Sequence, residues 1–216
     1  MENEIIPTPN TSQMTSPSES KYEILSKSDT SKIIALSDTE IGKIPVKSSL
    51  VFMDMITNTP IPDWTPKMDM ESEIKKLVYA NSINDLLVRF IRKDVFENET
   101  DMMVLERLYP MQHHSISKEE RLLVYEKFEK QMNELHSKGF LHGDIQRPIR
   151  RAPLEIIFGN IVLTKNGLRL IDTGFSRIIT EEPKDLNEYA KIHSQELREL
   201  RNFKDYFLND LDTNEK

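Results

Sequence analysis

The chain has 216 residues, a mass of 25.3 kDa and a formal net charge of −7 with a pI near 5.4. That is a size for one domain with tails rather than a multidomain machine. The excess of 36 acidic over 29 basic residues argues against a general nucleic-acid binder, and the lack of cysteine excludes disulfides, thiolate catalysis and Cys-ligated zinc.

The first twenty residues, MENEIIPTPNTSQMTSPSES, are polar and rich in Ser, Thr, Pro and Asn. They have no basic start followed by an apolar run, so they do not read as a Sec-type signal peptide. A disordered polar tail over 1–20 is expected, since such a composition cannot bury enough apolar area to offset its ordering entropy. It is also compatible with a secretion address. No later run approaches ~20 uninterrupted apolar residues, so no membrane-spanning helix is readable.

Order is expected from residue 21. KYEILSKSD, SKIIALSD and IGKIPVKSSLVF read as three β-rich runs of a small antiparallel sheet, the first two joined by a turn at Asp29-Thr30. Thr57 to Pro66 holds three prolines and reads as a loop. MESEIKKLVYA places Ile74, Leu77 and Val78 on one helix face. LLVRFIRKDVF and DMMVLERLY read as two further strands.

The second half is helical in character. From Ser117 to Ser137, Val124, Phe128, Met132 and Leu135 keep helical spacing, and Ser117 with Glu120 forms a capping-box start. Gly139 is a plausible C-cap. After the apolar FLHGDI, the stretch IIFGNIVLTKNGLRLIDTGF reads as a hairpin turning at Lys165-Asn166-Gly167. From Asp185 to Leu211 a mostly apolar helical face is marked by Leu186, Ala190, His193, Leu197, Leu200, Lys204, Phe207 and Leu211. Its polar face is mixed in sign, which suits a core helix better than a membrane-surface one. The expected layout is two-lobed α+β, β-rich over about 21–110 and helical over about 111–212.

The chemistry concentrates between Leu135 and Phe175. His142-Gly143-Asp144 follows a long helix, Asp172-Thr173-Gly174 ends a hairpin, and Asn160 directly precedes the apolar run IVL. In these motifs the sequence resembles the protein-kinase superfamily, matching its H-R-D catalytic loop and D-F-G metal-binding loop. The resemblance implies a two-lobed kinase-like fold over 21–212, with ATP and Mg²⁺ as cofactors. It makes Asp144 the carboxylate that orients the attacking hydroxyl, and Asn160 and Asp172 the hard-oxygen ligands of magnesium. Upstream, DMMVLERL resembles the strand running into the hinge, whose backbone around Glu106 to Leu108 would meet an adenine edge. IPVK resembles the V-A-I-K strand and makes Lys47 the phosphate-contacting lysine, with Lys43 a rival because Pro45 is odd in a strand. EIKKL resembles the αC helix and makes Glu73 the partner of that lysine.

Four departures from the family pattern stand out. The expected glycine-rich loop, Ser26 to Ser31, has no glycine. Asp144 and Asn160 are separated by the extra basic stretch IQRPIRRAPLEIIF, whose Arg147, Arg150 and Arg151 either grip an acidic ligand or are merely solvated. Gly143 replaces the Arg that reads out loop phosphorylation. The stretch after Asp172 has no A-P-E motif, and Asp185 is the candidate brace for the catalytic loop.

Such minimal kinases resemble the small effector kinases that bacterial pathogens inject into host cells. The resemblance therefore implies a monomeric Ser/Thr protein kinase secreted into the host cytoplasm. Its substrate would be a host protein, such as a ubiquitin-pathway component or a cytosolic chaperone, with no nucleic-acid or membrane partner. A pseudokinase binding module and a small-molecule kinase are the alternatives. His113-His114 has no nearby carboxylate to suggest a metal site and reads as surface loop.

Overall fold

The computed structural model describes residues 22–28, 30–46, 69–97, 100–149, 155–179 and 183–209. The N-terminal tail, Asp29, Lys47, the proline-rich loop, Arg150, Arg151 and Leu211 lie outside the described residues. Within them the protein is mixed α+β, with a five-stranded antiparallel sheet and three α-helices.

The sheet is built from β1 (Ile24–Lys27), β2 (Ser31–Ala35), β3 (Glu40–Pro45), β4 (Phe90–Phe96) and β5 (Thr100–Glu106), in the order β1-β2-β3-β5-β4. Apolar residues of β5 fall alternately into two clusters. Met102 and Val104 join Ile34 and Ile44 on one face, whereas Met103 and Leu105 enter the main core on the other. This is the period-two signature of a strand covered on both faces. β3 is paired through Pro45, opposite Ser31, and the Val46 amide still donates to the Thr30 carbonyl at 2.9 Å. The stretch read as one strand from Leu86 onward is divided: Leu86, Leu87 and Val88 are buried outside the sheet, and the Leu86 carbonyl and Val88 amide bond Leu170.

Helix α1 (Met70–Asn81) starts at Asp69, whose carboxylate accepts from the Ser72 amide. Helix α2 (Lys118–Ser137) starts at Ser117 with both bonds of the capping box formed, a device that contributes about 1 kcal/mol. It buries Tyr125, Phe128, Met132 and Leu135, and past its C-cap Lys138, Gly139 takes a φ of +77°. Beyond it come the short β6 (Phe140–Leu141), a hairpin of β7 (Arg147–Ile149) and β8 (Glu155–Ile157), and a second hairpin of β9 (Ile161–Thr164) and β10 (Gly167–Leu170). β11 (Arg177–Ile178) pairs back on β6. The extra stretch between Asp144 and Asn160 thus forms a hairpin of its own.

Helix α3 (Pro183–Leu208) packs on α2. Its buried face corrects the sequence reading. Glu196, Leu200, Phe203 and Phe207 are buried at spacings of four, three and four, whereas Leu186 and Leu197 are exposed. Phe203 interlocks with the Phe128 and Phe158 rings, and Lys204 lies over the Tyr125 ring. Leu200 and Phe207 of the expected face are buried, and Glu196 and Phe203 join them in place of Leu186 and Leu197.

Candidate active site

Strand β3 and helix α1 place Lys43 and Glu73 face to face. Lys43 Nζ lies 2.5 Å from Glu73 Oε1, and both side chains are almost wholly buried. The same ammonium reaches Asp172 Oδ1 at 3.5 Å. Lys43 thus takes the position expected of Lys47. Residues 41, 43, 45 and 47 share a parity on an extended strand, so alternation alone cannot choose between them; the buried contact of Lys43 with Glu73 does.

Helix α1 is also fastened to the Asp172-Thr173-Gly174 loop. Thr173 Oγ1 donates to the Glu73 carbonyl at 3.4 Å, and Lys76 Nζ donates to the carbonyls of Thr173 and Gly174 at 3.4 and 3.2 Å. Burial, with the nearby Arg177 charge, holds the Lys76 ammonium below its ordinary pKa, against the pull of Glu73. Asp172 itself has φ of +64°, a left-handed backbone unusual outside glycine. The Gly174 amide donates to its Oδ1 at 3.1 Å, so the strained residue is held from both sides.

The loop after β6 supplies the second carboxylate. His142 is fully buried, and its Nε2 donates to the Ile171 carbonyl at 3.0 Å, tying this loop to the one carrying Asp172. Gly143 has φ of +76°, and a Cβ there would stand 2.7 Å from the Phe175 carbonyl oxygen. Both the left-handed backbone and the close approach require glycine. Asn160 crosses sixteen residues of sequence to donate its amide nitrogen to the Asp144 carbonyl at 2.7 Å and carboxylate at 2.8 Å. The β7–β8 hairpin closes on itself and returns the chain to its starting point, so the long separation does not disturb this contact. Ile171 N donates to the Asn160 carbonyl at 3.0 Å, which sets Asn160 beside Asp172.

Glu196 is a residue of this site that the sequence reading did not include. Its side chain is buried beneath the loop carrying His142 to Asp144, accepting from the backbone amides of His142 at 3.2 Å and Gly143 at 2.6 Å. His136 Nε2 lies 2.8 Å from its Oε1. Burial alone would raise the Glu196 pKa; the bond from His136, the His142 imidazole and the Gly143 amide outweigh it and hold the carboxyl below its ordinary range. His193 reaches His136 Nδ1 at 3.3 Å and stacks on Tyr189. Burial and the neighbouring His136 hold His193 below its ordinary value. Glu196 performs the bracing expected of Asp185, which sits in the first turn of α3. The signal available in the sequence was an acidic residue four positions before Leu200, in register with Phe203 and Phe207.

At the end of β5, the Glu106 amide donates to the Arg89 carbonyl and its carboxylate pairs with Arg169. The Arg107 amide donates to the Thr39 carbonyl at 2.8 Å. The Leu108 backbone makes no hydrogen bond among the described residues. Between β1 and β2, the turn is closed by Ser28: its Oγ accepts from the amides of Thr30 and Ser31 at 3.4 and 3.1 Å, and its own amide donates to the Ser31 carbonyl. His113 packs on the Tyr206 ring, in a short 3-10 turn away from these loops.

The donor chemistry suits a hard dication. Because the Asn160 side-chain nitrogen is committed to Asp144, its side-chain oxygen is the atom left to ligate, while its backbone carbonyl is held by Ile171, the residue before Asp172. Among the described residues no group of three or more His, Asp or Glu is gathered as a metal cage. Two protein oxygens, with phosphates and waters completing the shell, is the arrangement magnesium takes. Neither the protein-family models nor the curated proteins include a match to the chain.

Proposed function

We propose that the protein is a minimal two-lobed kinase that transfers a phosphoryl group from ATP–magnesium to a Ser or Thr of a protein. The observation that carries this reading is the convergence of Lys43, Glu73 and Asp172 from three distant segments into one charge cluster, with the lysine and Glu73 buried. A buried lysine shared by two carboxylates is costly to keep for structure alone, since well-packed apolar residues often serve as well or better. It is well suited to meet the phosphates of a nucleotide, and Leu108 offers a spare amide and carbonyl to an adenine edge.

In this reading the chain's residues divide the work. Asn160 and Asp172 hold the magnesium, which neutralises charge on the phosphates. Lys43, oriented by Glu73, grips the phosphates. Asp144, fixed by the Asn160 amide, receives the acceptor hydroxyl and its proton, and Glu196 keeps the loop beneath it in place. The role in the host cytoplasm, as a secreted bacterial effector acting on a host protein, is part of the same proposal. It rests on the motif resemblance and on the composition of the first twenty residues.

One observation favours a binding module instead. The Ser28 side chain occupies amides of the β1–β2 turn, which a glycine-rich loop would offer to phosphates. The two readings separate in one experiment. Asp144→Asn is expected to lower transfer by about 10²- to 10⁴-fold with little change in ATP–magnesium affinity. Asp172→Asn is expected to lose both the metal-dependent thermal shift and turnover. Nucleotide binding by the wild type with no transfer to any protein would give the module reading the place of the kinase.

A further inference from the structure

Beside the catalytic loop, the outer side of α3 carries a groove that phosphoryl transfer itself does not use. A cleft of about 580 Å³ opens between Gln146 and the α3 side chains of Gln195, Arg198, Arg201 and Asn202. A smaller one of about 120 Å³ lies between Gly143, Phe175 and the same helix. Gln195 and Glu199 line both, so the two adjoin as one trough-like stretch of surface along α3. Gly143 and Gln146, which bound it, stand on either side of Asp144 in the chain, and Asn202 fixes Gln146 through a bond of 2.8 Å. The clefts are therefore bounded by the chain neighbours of Asp144, the carboxylate assigned above to the acceptor hydroxyl.

Its charge is opposite to that of the protein. Several arginines and lysines elsewhere are paired: Arg92 with Glu40, Lys93 with Glu71, Arg169 with Glu106. Arg198 and Arg201 are exposed, one helical turn apart, and form no hydrogen bond or ion pair among the described residues. Glu199 between them is turned to Gln195, whose amide it accepts at 2.8 Å. At the far end, Phe175 exposes an apolar ring. Two free guanidinium forks suit carboxylates. They are too short a track for a nucleic acid, which needs several phosphate contacts along its length.

The geometry points to this trough as the seat of the acceptor polypeptide, with Arg198 and Arg201 reading an acidic side chain near the phosphorylated Ser or Thr. The inference rests on the kinase reading and adds a substrate class to it: hydroxyl-bearing segments flanked by Asp or Glu.

The test uses the full chain and two labelled peptides, one with Glu flanking a serine and one with Gln in those places. Binding is read by fluorescence anisotropy and transfer by initial rates. Wild type is expected to prefer the Glu peptide, with affinity that falls as salt rises. Arg198→Glu with Arg201→Glu is expected to raise the Kd and KM for that peptide roughly tenfold, the loss lying in KM more than in kcat. Arg198→Gln with Arg201→Gln, which adds no repulsion, should show a smaller loss in the same direction. Equal handling of both peptides by wild type, or indifference to the arginine changes, overturns the inference while transfer to both keeps the kinase reading. Arginine-dependent binding of the Glu peptide without any transfer keeps the trough and defeats the kinase reading.

Discussion

Replacing Glu196 by alanine tests the whole support of the catalytic loop. The carboxylate is buried and accepts three bonds, from the His142 and Gly143 amides and from His136. Its loss strands two backbone donors in a buried site at about 1–3 kcal/mol each. It also removes the partner of His136. The sum, about 3–5 kcal/mol, is a large share of the roughly 5–15 kcal/mol that holds a domain together. For a chain of this size each kcal/mol moves the melting temperature by about 2–4 °C, so a fall of about 10 °C is expected by circular dichroism. Glu196→Gln keeps one acceptor but turns an NH₂ toward a donor, and is expected to lose less stability while still lowering transfer through a displaced Asp144. Glu188→Ala, at a loose and exposed contact 3.9 Å from Arg177, serves as the control and should stay within about ±0.5 kcal/mol. A Glu196→Ala protein as stable as that control would refute the reasoning.

Lys43→Met leaves the buried Glu73 charge uncompensated and is expected to cost about 3–5 kcal/mol and to abolish transfer; Lys47→Met should fall far short of both losses, as read by chemical denaturation and rate assays. Gly143→Ala forces a Cβ against the Phe175 carbonyl at a left-handed φ and should destabilise by about 1–3 kcal/mol, measured as a lower urea midpoint. Acid should weaken the fold in two stages. His193 is held below its ordinary value of 6.5 and Glu196 below 4.5, so the native state binds fewer protons than the unfolded one. The His193 contribution is full above pH 6.5 and the Glu196 contribution above pH 4.5; each is lost as pH falls toward its folded value. Melting temperature should decline from about pH 7 to 5, and decline less in His193→Gln. A flat profile over that range in the wild type would contradict the His193 assignment.

Local pattern determined a good deal by itself. The Ser117 capping box, the buried face of α2, the Asn166-Gly167 hairpin and the existence of β1 to β3 are set by neighbours a few residues apart, whereas on α1 Leu77 is buried as expected but Val78 is exposed. They could be read because caps, turns and periodicities act over that range. The motif residues Asp144, Asn160 and Asp172 were also legible, as was the pairing of a β3 lysine with Glu73. Which lysine was not: Lys43 and Lys47 have the same parity, and only the tertiary contact of Lys43 with Glu73 on α1 decides between them. The contact of Asn160 with Asp144 across the inserted hairpin is likewise a product of closure at long range. On α3 the reading held only in part: Leu200 and Phe207 are buried as expected, but Leu186 and Leu197 are exposed. Hydrophobic periodicity seeks apolar residues for a buried face, but the His142 and Gly143 amides take their acceptor from Glu196, and a buried donor left unpaired costs about 1–3 kcal/mol. Where the loop lies over the helix, which no local pattern encodes, decides that Glu196 joins the buried face.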